Sequence, residues 1–240
     1  MRERKCVAAF GAHIGDLELS FGGVAAKCAA DGNRVVFVHM TAGERGHPSL
    51  PPEKYKEQKV REGAESARKL GVEFRLMPYS DGELECGREE ALAVCRAIRE
   101  LKPDAVVTHW KGSYHRDHAK VHEIVKEAVF FASLPGFGDL PRHSVRALYF
   151  CENWEDPKGF EPKVYADFSD SFDAWVEAIM VHEFVRGRGL PSDYPYADYY
   201  KALARLRGIE AGFEYAEAFM LDEDWGKGRL RLDRFPWPQP

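Results

Sequence analysis

Apolar runs and helical spacings alternate along the first half of the chain. Cys6–Phe10 is a continuous apolar run of the length of a buried strand. A helical pattern follows from about Leu17 to Ala30 and closes at Asp31-Gly32. Arg34–Met40 reads as a second strand. Pro52–Leu70 reads as a long charged helix, with Gly71 suited to its C-terminal cap. Val72–Met77 predicts a short strand, and Asp81-Gly82 marks a turn behind it. Glu89–Leu101 predicts a helix broken by Pro103, Asp104–Trp110 a strand, and Asp117–Ala132 a helix. This β-α-β-α-β-α-β-α order, with polar loops after the strands, predicts a doubly wound α/β fold: a mostly parallel sheet with helices on both faces.

The second half is less regular. Ala147–Cys151 and Lys163–Phe168 read as strands. Asp170 or Ser171 could cap a helix from 172 to about 186, and a Tyr-rich loop (Tyr194, Tyr196, Tyr199, Tyr200) runs into a helix over 197–212. Residues 225–240, with three prolines, read as an extended tail. With no internal repeat and no linker, residues 1–240 read as one domain: a core over 1–132 and the remaining strands, helices and tail over 133–240.

Composition narrows the function. The chain has 240 residues, 45% of them hydrophobic, and a net charge of −5, with no basic tract to suit nucleic acid. No apolar run approaches the roughly 18 residues of a membrane helix. Met1–Lys5 leads straight into a strand and does not read as a signal peptide. Five cysteines (6, 28, 86, 95 and 151) form no CxxC pair and read as small buried hydrophobes in a reducing compartment. A cytoplasmic enzyme is the expectation.

Sheets of this class bind ligands outside the carboxyl ends of their strands. Three polar clusters fall there: His13 and Asp16, Glu44 and Arg45, and His115, Asp117 and His118. Two imidazoles and a carboxylate with an open fourth position make a common catalytic zinc set, which His13, Asp16 and His118 would provide. His115 would then be an acid and Asp117 its orienting carboxylate. Glu18, Arg45 and Tyr114 are candidate substrate-binding residues, with Trp110 beside Tyr114 able to offer a ligand an apolar ring face. On its own the first cluster could equally be a helix-capping Asp beside a turn His. His39, His47, His109, His143 and His182 read as structural, and His122 as a surface helix residue.

The motifs resemble the PIG-L/LmbE family of zinc-dependent N-deacetylases. Ala12-His13-Ile14-Gly15-Asp16-Leu17-Glu18 is similar to that family's Ala-His-Pro-Asp-Asp-x-Glu, and His115-Arg116-Asp117-His118 to its His-x-Asp-His. Thr41–Glu44, Arg61-Glu62 to Leu70-Gly71, and Tyr215–Phe219 also match, in order, over roughly residues 5–220. The resemblance implies a Rossmann-like fold and Zn²⁺, or another divalent transition metal, on His13, Asp16 and His118. It implies His115 near the substrate, an amino sugar or glycoconjugate as that substrate, and assembly as a homo-oligomer.

One position breaks the pattern. The family's general base is the first Asp of its Asp-Asp pair, and here that position is Gly15. General-base help is worth about 10²–10⁴-fold in rate. Either another carboxylate, Glu44 or Asp117, takes the role, or His115 acts alone, or hydrolysis is lost and the site binds a sugar-like ligand. If only the base is missing, Gly15→Asp should raise activity. A nucleotide-binding role is a weaker rival, because Gly11 and Gly22-Gly23 do not make GxGxxG.

Overall fold

The computed structural model describes residues 4–187 and 194–222. β1 (Cys6–Gly11) is followed by two helices, α1 (Asp16–Ser20) and α2 (Gly22–Ala30), then by β2 (Arg34–His39) and α3 (Pro52–Leu70). β3 (Glu73–Leu76), α4 (Arg88–Leu101), β4 (Ala105–His109) and α5 (Arg116–Ser133) complete the alternating half. β5 (Ala147–Cys151), β6 (Val164–Asp167), α6 (Phe172–Ile179), α7 (Tyr196–Ala211) and β7 (Ala216–Leu221) follow.

The strands form one seven-stranded sheet in the order β3-β2-β1-β4-β5-β7-β6. β3 to β5 are mutually parallel along that order, and β7 runs antiparallel to both of its neighbours. Alternation along the strands divides the core. Val7, Ala9, Val35, Phe37 and Val107 pack on one face with residues of α2, α3 and α6. Ala8, Phe10, Val36, Val38 and Val106 pack on the other with α4 and α5. Both faces are covered, which is why these strands read as apolar runs rather than alternating ones. Strand order reverses at β1, so the loops after β1 and β4 meet at a topological switch point, where doubly wound sheets hold their ligands.

Three elements differ from expectation. The helix expected over 17–30 is two helices, broken at Phe21, whose φ is −143°. The break has a long-range cause. Glu217 of β7 accepts hydrogen bonds from the Gly23 and Val24 amides at 2.8 and 3.0 Å, capping α2 with a residue some 190 positions away. Gly23 is required beside it, since a Cβ would stand 2.3 Å from the Phe168 ring. The helix expected to reach 186 ends at Ile179, and the chain turns back so that Glu183 N meets Glu62 of α3 at 3.3 Å. β7 itself, the antiparallel member, was not anticipated. The expected tail lies outside the described residues, as do the first three residues. All five cysteines are free; Cys28, Cys95 and Cys151 are buried as expected, Cys6 is half-buried and Cys86 is exposed. No described helix is long and apolar enough to cross a membrane.

Candidate metal centre and active-site cavity

The turn after β1 builds the site. Asp16 closes it by accepting from His13 N at 2.8 Å, and the His39 ring donates from Nδ1 to the His13 carbonyl at 3.1 Å. Gly15 N donates to Glu18 Oε2 at 2.9 Å, and the Lys59 ammonium of α3 donates to the Ile14 carbonyl. Thr41 N donates to the Ala12 carbonyl at 2.9 Å. His13 and Asp16 therefore project from a turn whose backbone is held from three sides.

Around Asp16 Oδ2 stand His13 Nδ1 at 3.3 Å, His118 Nε2 at 3.2 Å and His109 Nε2 at 3.4 Å. The outer nitrogens of the two expected ligands face oxygens. His13 Nε2 lies 3.2 Å from Asp81 Oδ1 and 3.6 Å from Asp117 Oδ2, while His118 Nδ1 lies 3.3 Å from Glu155 Oε2 and from Ser113 Oγ. Protons placed on those outer nitrogens leave the inner lone pairs of the two imidazoles each beside the same Asp16 carboxylate oxygen. That donor set fits a divalent cation of the zinc type, and carboxylates on the far side of ligating histidines fix their tautomers. The expected residues His13 and His118 each meet Asp16, while the triads whose donor atoms all lie within 4.8 Å of one another are, among the described residues, His13 with His115 and His118, Asp16 with His109 and His118, and His13 with Asp81 and Asp117.

The electrostatics follow. Burial disfavours charge on His13, but Asp16, Asp117 and Asp81 outweigh it and hold the imidazole well above its ordinary value. Asp16 sits well below the usual carboxylate range: burial opposes its charge, and His118 and His13 overcome that. His118, buried and beside His109, is pushed down to about 3, which keeps its ring neutral and available as a ligand. Burial lifts Glu155 to about 7.

His115 caps α5, and its Nδ1 accepts from Asp117 N at 3.3 Å, leaving the proton on Nε2. Its ring lies 4.7 Å from that of His13 and 4.6 Å from that of His118. The expected orienting role of the Asp117 carboxylate is corrected. Its backbone amide meets His115, while the carboxylate accepts from Gly82 N at 3.0 Å and faces His13.

A cavity of ≈ 190 Å³ opens over these donors, walled by His115, Asp81, Glu155, Trp154, Tyr196, Phe184 and Lys59 among others. Of the residues expected to bind substrate, Glu18 is buried beneath the turn with no exposed surface and does not line the cavity. Arg45 points outward and pairs with Glu83. Tyr114 is 58% exposed, its ring set edge-on to Trp154 at 5.7 Å, so Trp154 forms the aromatic wall instead. Trp110 belongs to the core, donating to the Lys158 carbonyl. Glu44 is buried; Oε1 accepts from Asp81 N at 3.0 Å, and Oε2 has no hydrogen-bond partner among the described residues.

Sequence reasoning passed over Asp81, His109, His122 and Glu155. His109 stacks on His118 at 4.1 Å and accepts from Ala12 N at 2.9 Å; His122, expected at the surface, is buried with Nδ1 2.9 Å from the His109 carbonyl. A histidine closing a strand just before a polar loop was the available signal for His109. Asp81 and Glu155 come from loops after β3 and β5, where nothing local marks them. Asp81→Asn and Glu155→Gln are each expected to weaken zinc binding about 10–100-fold without unfolding the chain, the usual effect of losing a ligand's outer partner. Competition with a chromophoric chelator measures this, and unchanged affinity in both would remove these two carboxylates from the site.

Residues 8–129 match the family model described as GlcNAc-PI de-N-acetylase. The chain is 26% identical over 225 residues to the diacetylchitobiose deacetylase of Thermococcus kodakarensis, covering 85% of this chain and 78% of that protein. It is 21% identical over 218 residues to a 4-oxalmesaconate hydratase of Pseudomonas putida, covering 87% of this chain and 81% of that one. Among solved structures it is similar to the N,N'-diacetylchitobiose deacetylase of Pyrococcus horikoshii, with a TM-score of 0.80 and 26% identity over 92% of this chain and 84% of that one. It also shares its fold with GalB, the 4-carboxy-2-hydroxymuconate hydratase of Pseudomonas putida, with a TM-score of 0.83 and 20% identity over 95% of this chain and all of that one.

Proposed function

The chain belongs to the GlcNAc-PI de-N-acetylase (PIG-L) family, and from that premise we propose that it is a zinc-dependent amide hydrolase that removes an acetyl group from an N-acetylated amino sugar. The observation that carries this reading is the convergence of His13, Asp16 and His118 beneath a cavity at the switch point of the sheet. A divalent ion held by these three residues supplies Lewis acidity toward the amide carbonyl and lowers the pKa of water to about 7.

The chain's own residues have separable tasks. His115, whose imidazole burial pushes below its ordinary value, presents Nε2–H where charge develops on the carbonyl oxygen and where the amine departs. Trp154 offers an apolar ring face to a sugar. The proton acceptor is a carboxylate other than residue 15. Both oxygens of Asp81 are engaged, by His13 and by Arg45 N, and Glu155 is engaged by His118. Glu44 Oε2 has no hydrogen-bond partner among the described residues, and Glu44, though not itself lining the cavity, directly follows Gly43, which does; on that ground we assign the role to Glu44.

A second reading, hydration of a carbon–carbon double bond, is favoured by Gly15. The position that carries the family's amide-hydrolysis base has no proton acceptor, and a relative named as a hydratase matches 87% of this chain. Acetate release from N,N'-diacetylchitobiose and from N-acetylglucosamine separates the readings. Hydrolysis is expected to disappear on chelation and return with one equivalent of zinc. Metal-loaded protein that releases no acetate from either sugar, nor from a phosphorylated or carboxylated N-acetyl sugar, would exclude the hydrolase reading, and would leave hydration or ligand binding without turnover.

A further inference from the structure

At the position where the family motif carries a carboxylate, this chain has placed a cation. Gly15 has no side chain, and the space beside it is filled from two other elements. A Cβ built there would meet the Phe184 ring at 2.6 Å and the Lys59 ammonium at 3.5 Å. Lys59 is 95% buried and lines the cavity. Its ammonium donates to the Ile14 carbonyl and lies 4.2 Å from the centre of the Phe184 ring. Among the described residues no carboxylate oxygen lies within 4 Å of it, so one of its three N–H groups is engaged and two are not. Asp16, Glu18, Glu62 and Asp81 act on it from farther away, and burial opposes its charge. A buried ammonium without an ion-pair partner is unfavourable unless something supplies the counter-charge.

We propose that Lys59 is an oxyanion subsite: the substrate carries a carboxylate or phosphate group that pairs with the Lys59 ammonium at the cavity floor, next to the metal donors. The proposal rests on the metal-site reading for one term only. Asp16, Asp81 and Glu155 also face the cavity and would repel an anion, and a divalent ion held among His13, Asp16 and His118, as the proposed function has it, would offset them. The subsite replaces a proton acceptor with a charge anchor. It narrows the substrate to one with a fixed anionic group close to the reacting carbon, and it does not depend on whether the reaction is hydrolysis or hydration.

The test is direct binding on the zinc-loaded full chain, by calorimetry, with inorganic phosphate and with acetate as separate probes. Each is titrated into wild type, Lys59→Met and Lys59→Arg. Lys59→Met is expected to weaken the preferred anion at least tenfold, and Lys59→Arg to keep most of its affinity. Both variants should retain one zinc per chain and the wild-type melting temperature or a higher one. Phosphate binding that is lost in Lys59→Met while acetate is unaffected assigns a phosphorylated substrate, and the reverse assigns a carboxylate. Equal affinity of wild type and Lys59→Met for both anions, with zinc in place, would overturn the subsite, because the ion would then be held by the metal alone. Absence of zinc from the wild type would instead show as a failed metal assay, and apo protein titrated with the same anions would still compare Lys59 with Met; no difference there overturns the subsite as well.

Discussion

Replacing His118 with alanine is expected to leave a folded chain that holds less than a tenth of an equivalent of zinc and has lost about 10³-fold or more of its activity. The magnitude follows from what the metal contributes: Lewis-acid chemistry is worth several kcal/mol, and each 1.36 kcal/mol is tenfold in rate. His118 is well suited to the experiment because its ring has few structural duties. It stacks on His109 and His115 and gives its outer nitrogen to Glu155 and Ser113, while the backbone of α5 is fixed by its own hydrogen bonds and by the buried face of Val121, Ile124, Val125 and Ala128. The lost ring leaves a gap at the cavity floor, so the stability effect should be about 1–2 kcal/mol, well below that of a buried Leu→Ala change. His143→Ala is the control. That ring bonds the Pro103 carbonyl at 2.7 Å, just before the start of β4 and so at the opposite edge of the sheet. Zinc is measured by atomic emission after dialysis. A His118→Ala protein with full zinc and full activity would show that the ion binds elsewhere, with the triads His13–His115–His118 and Asp16–His109–His118 both broken and, among the described residues, His13, Asp81 and Asp117 left to hold it.

How much of this was legible in the chain depends on how far each signal travels. α3, expected over about Pro52 to Leu70, is found at Pro52–Leu70, because a proline opens it and Gly71, at φ +73°, closes it. β5 was read to the residue because both faces of the strand are buried and the run is short. The candidate donor cluster was legible because three groups of the right chemistry follow strands that a parallel sheet must bring to one edge. What escaped was set by contacts across the chain. The break at Phe21 is imposed by Glu217, whose strand opens on Ala-Glu-Ala and so carries a weak strand signal. The turn after Ile179 is imposed by docking on α3. Asp81 and Glu155 act only because the loops after β3 and β5 fold over the histidines, and a single aspartate or glutamate in a loop carries no mark of that. Glu18 illustrates the converse. Its motif position was plain, but motif position does not separate touching a ligand from holding the turn that does. Glu18 holds the turn, and burial lifts its carboxyl to about 7.

Gly15→Asp is the change that the motif alone recommends, and the structure reverses its expected outcome. Gly15 sits at φ +110°, a conformation that strains an L-residue by about 1–3 kcal/mol. The first carbon of any side chain there would stand 2.6 and 2.8 Å from two carbons of the Phe184 ring, which is packed between Lys59 and Tyr196 and has to move. Strain and displacement together should cost about 3 kcal/mol, which for a chain of this size lowers the melting temperature by roughly 6–12 °C. The carboxylate would also lie beside the Lys59 ammonium and pair with it, so it would offer the reaction a neutralised base. The single variant should therefore be less stable and no more active than wild type. Gly15→Asp with Phe184→Ala removes the collision but keeps the backbone strain and the Lys59 pairing. It should recover part of the melting temperature and none of the activity. Only the triple combination with Lys59→Met leaves a free carboxylate at the family position, and that variant is where a gain of about 10²-fold in acetate release from a neutral N-acetyl sugar, which needs no Lys59 anchor, is expected if the chain is a hydrolase limited by its base. A rise of that size in the single Gly15→Asp variant, with the melting temperature unchanged, would mean that Phe184 and Lys59 do not occupy the space beside residue 15, and the oxyanion subsite would fall with them.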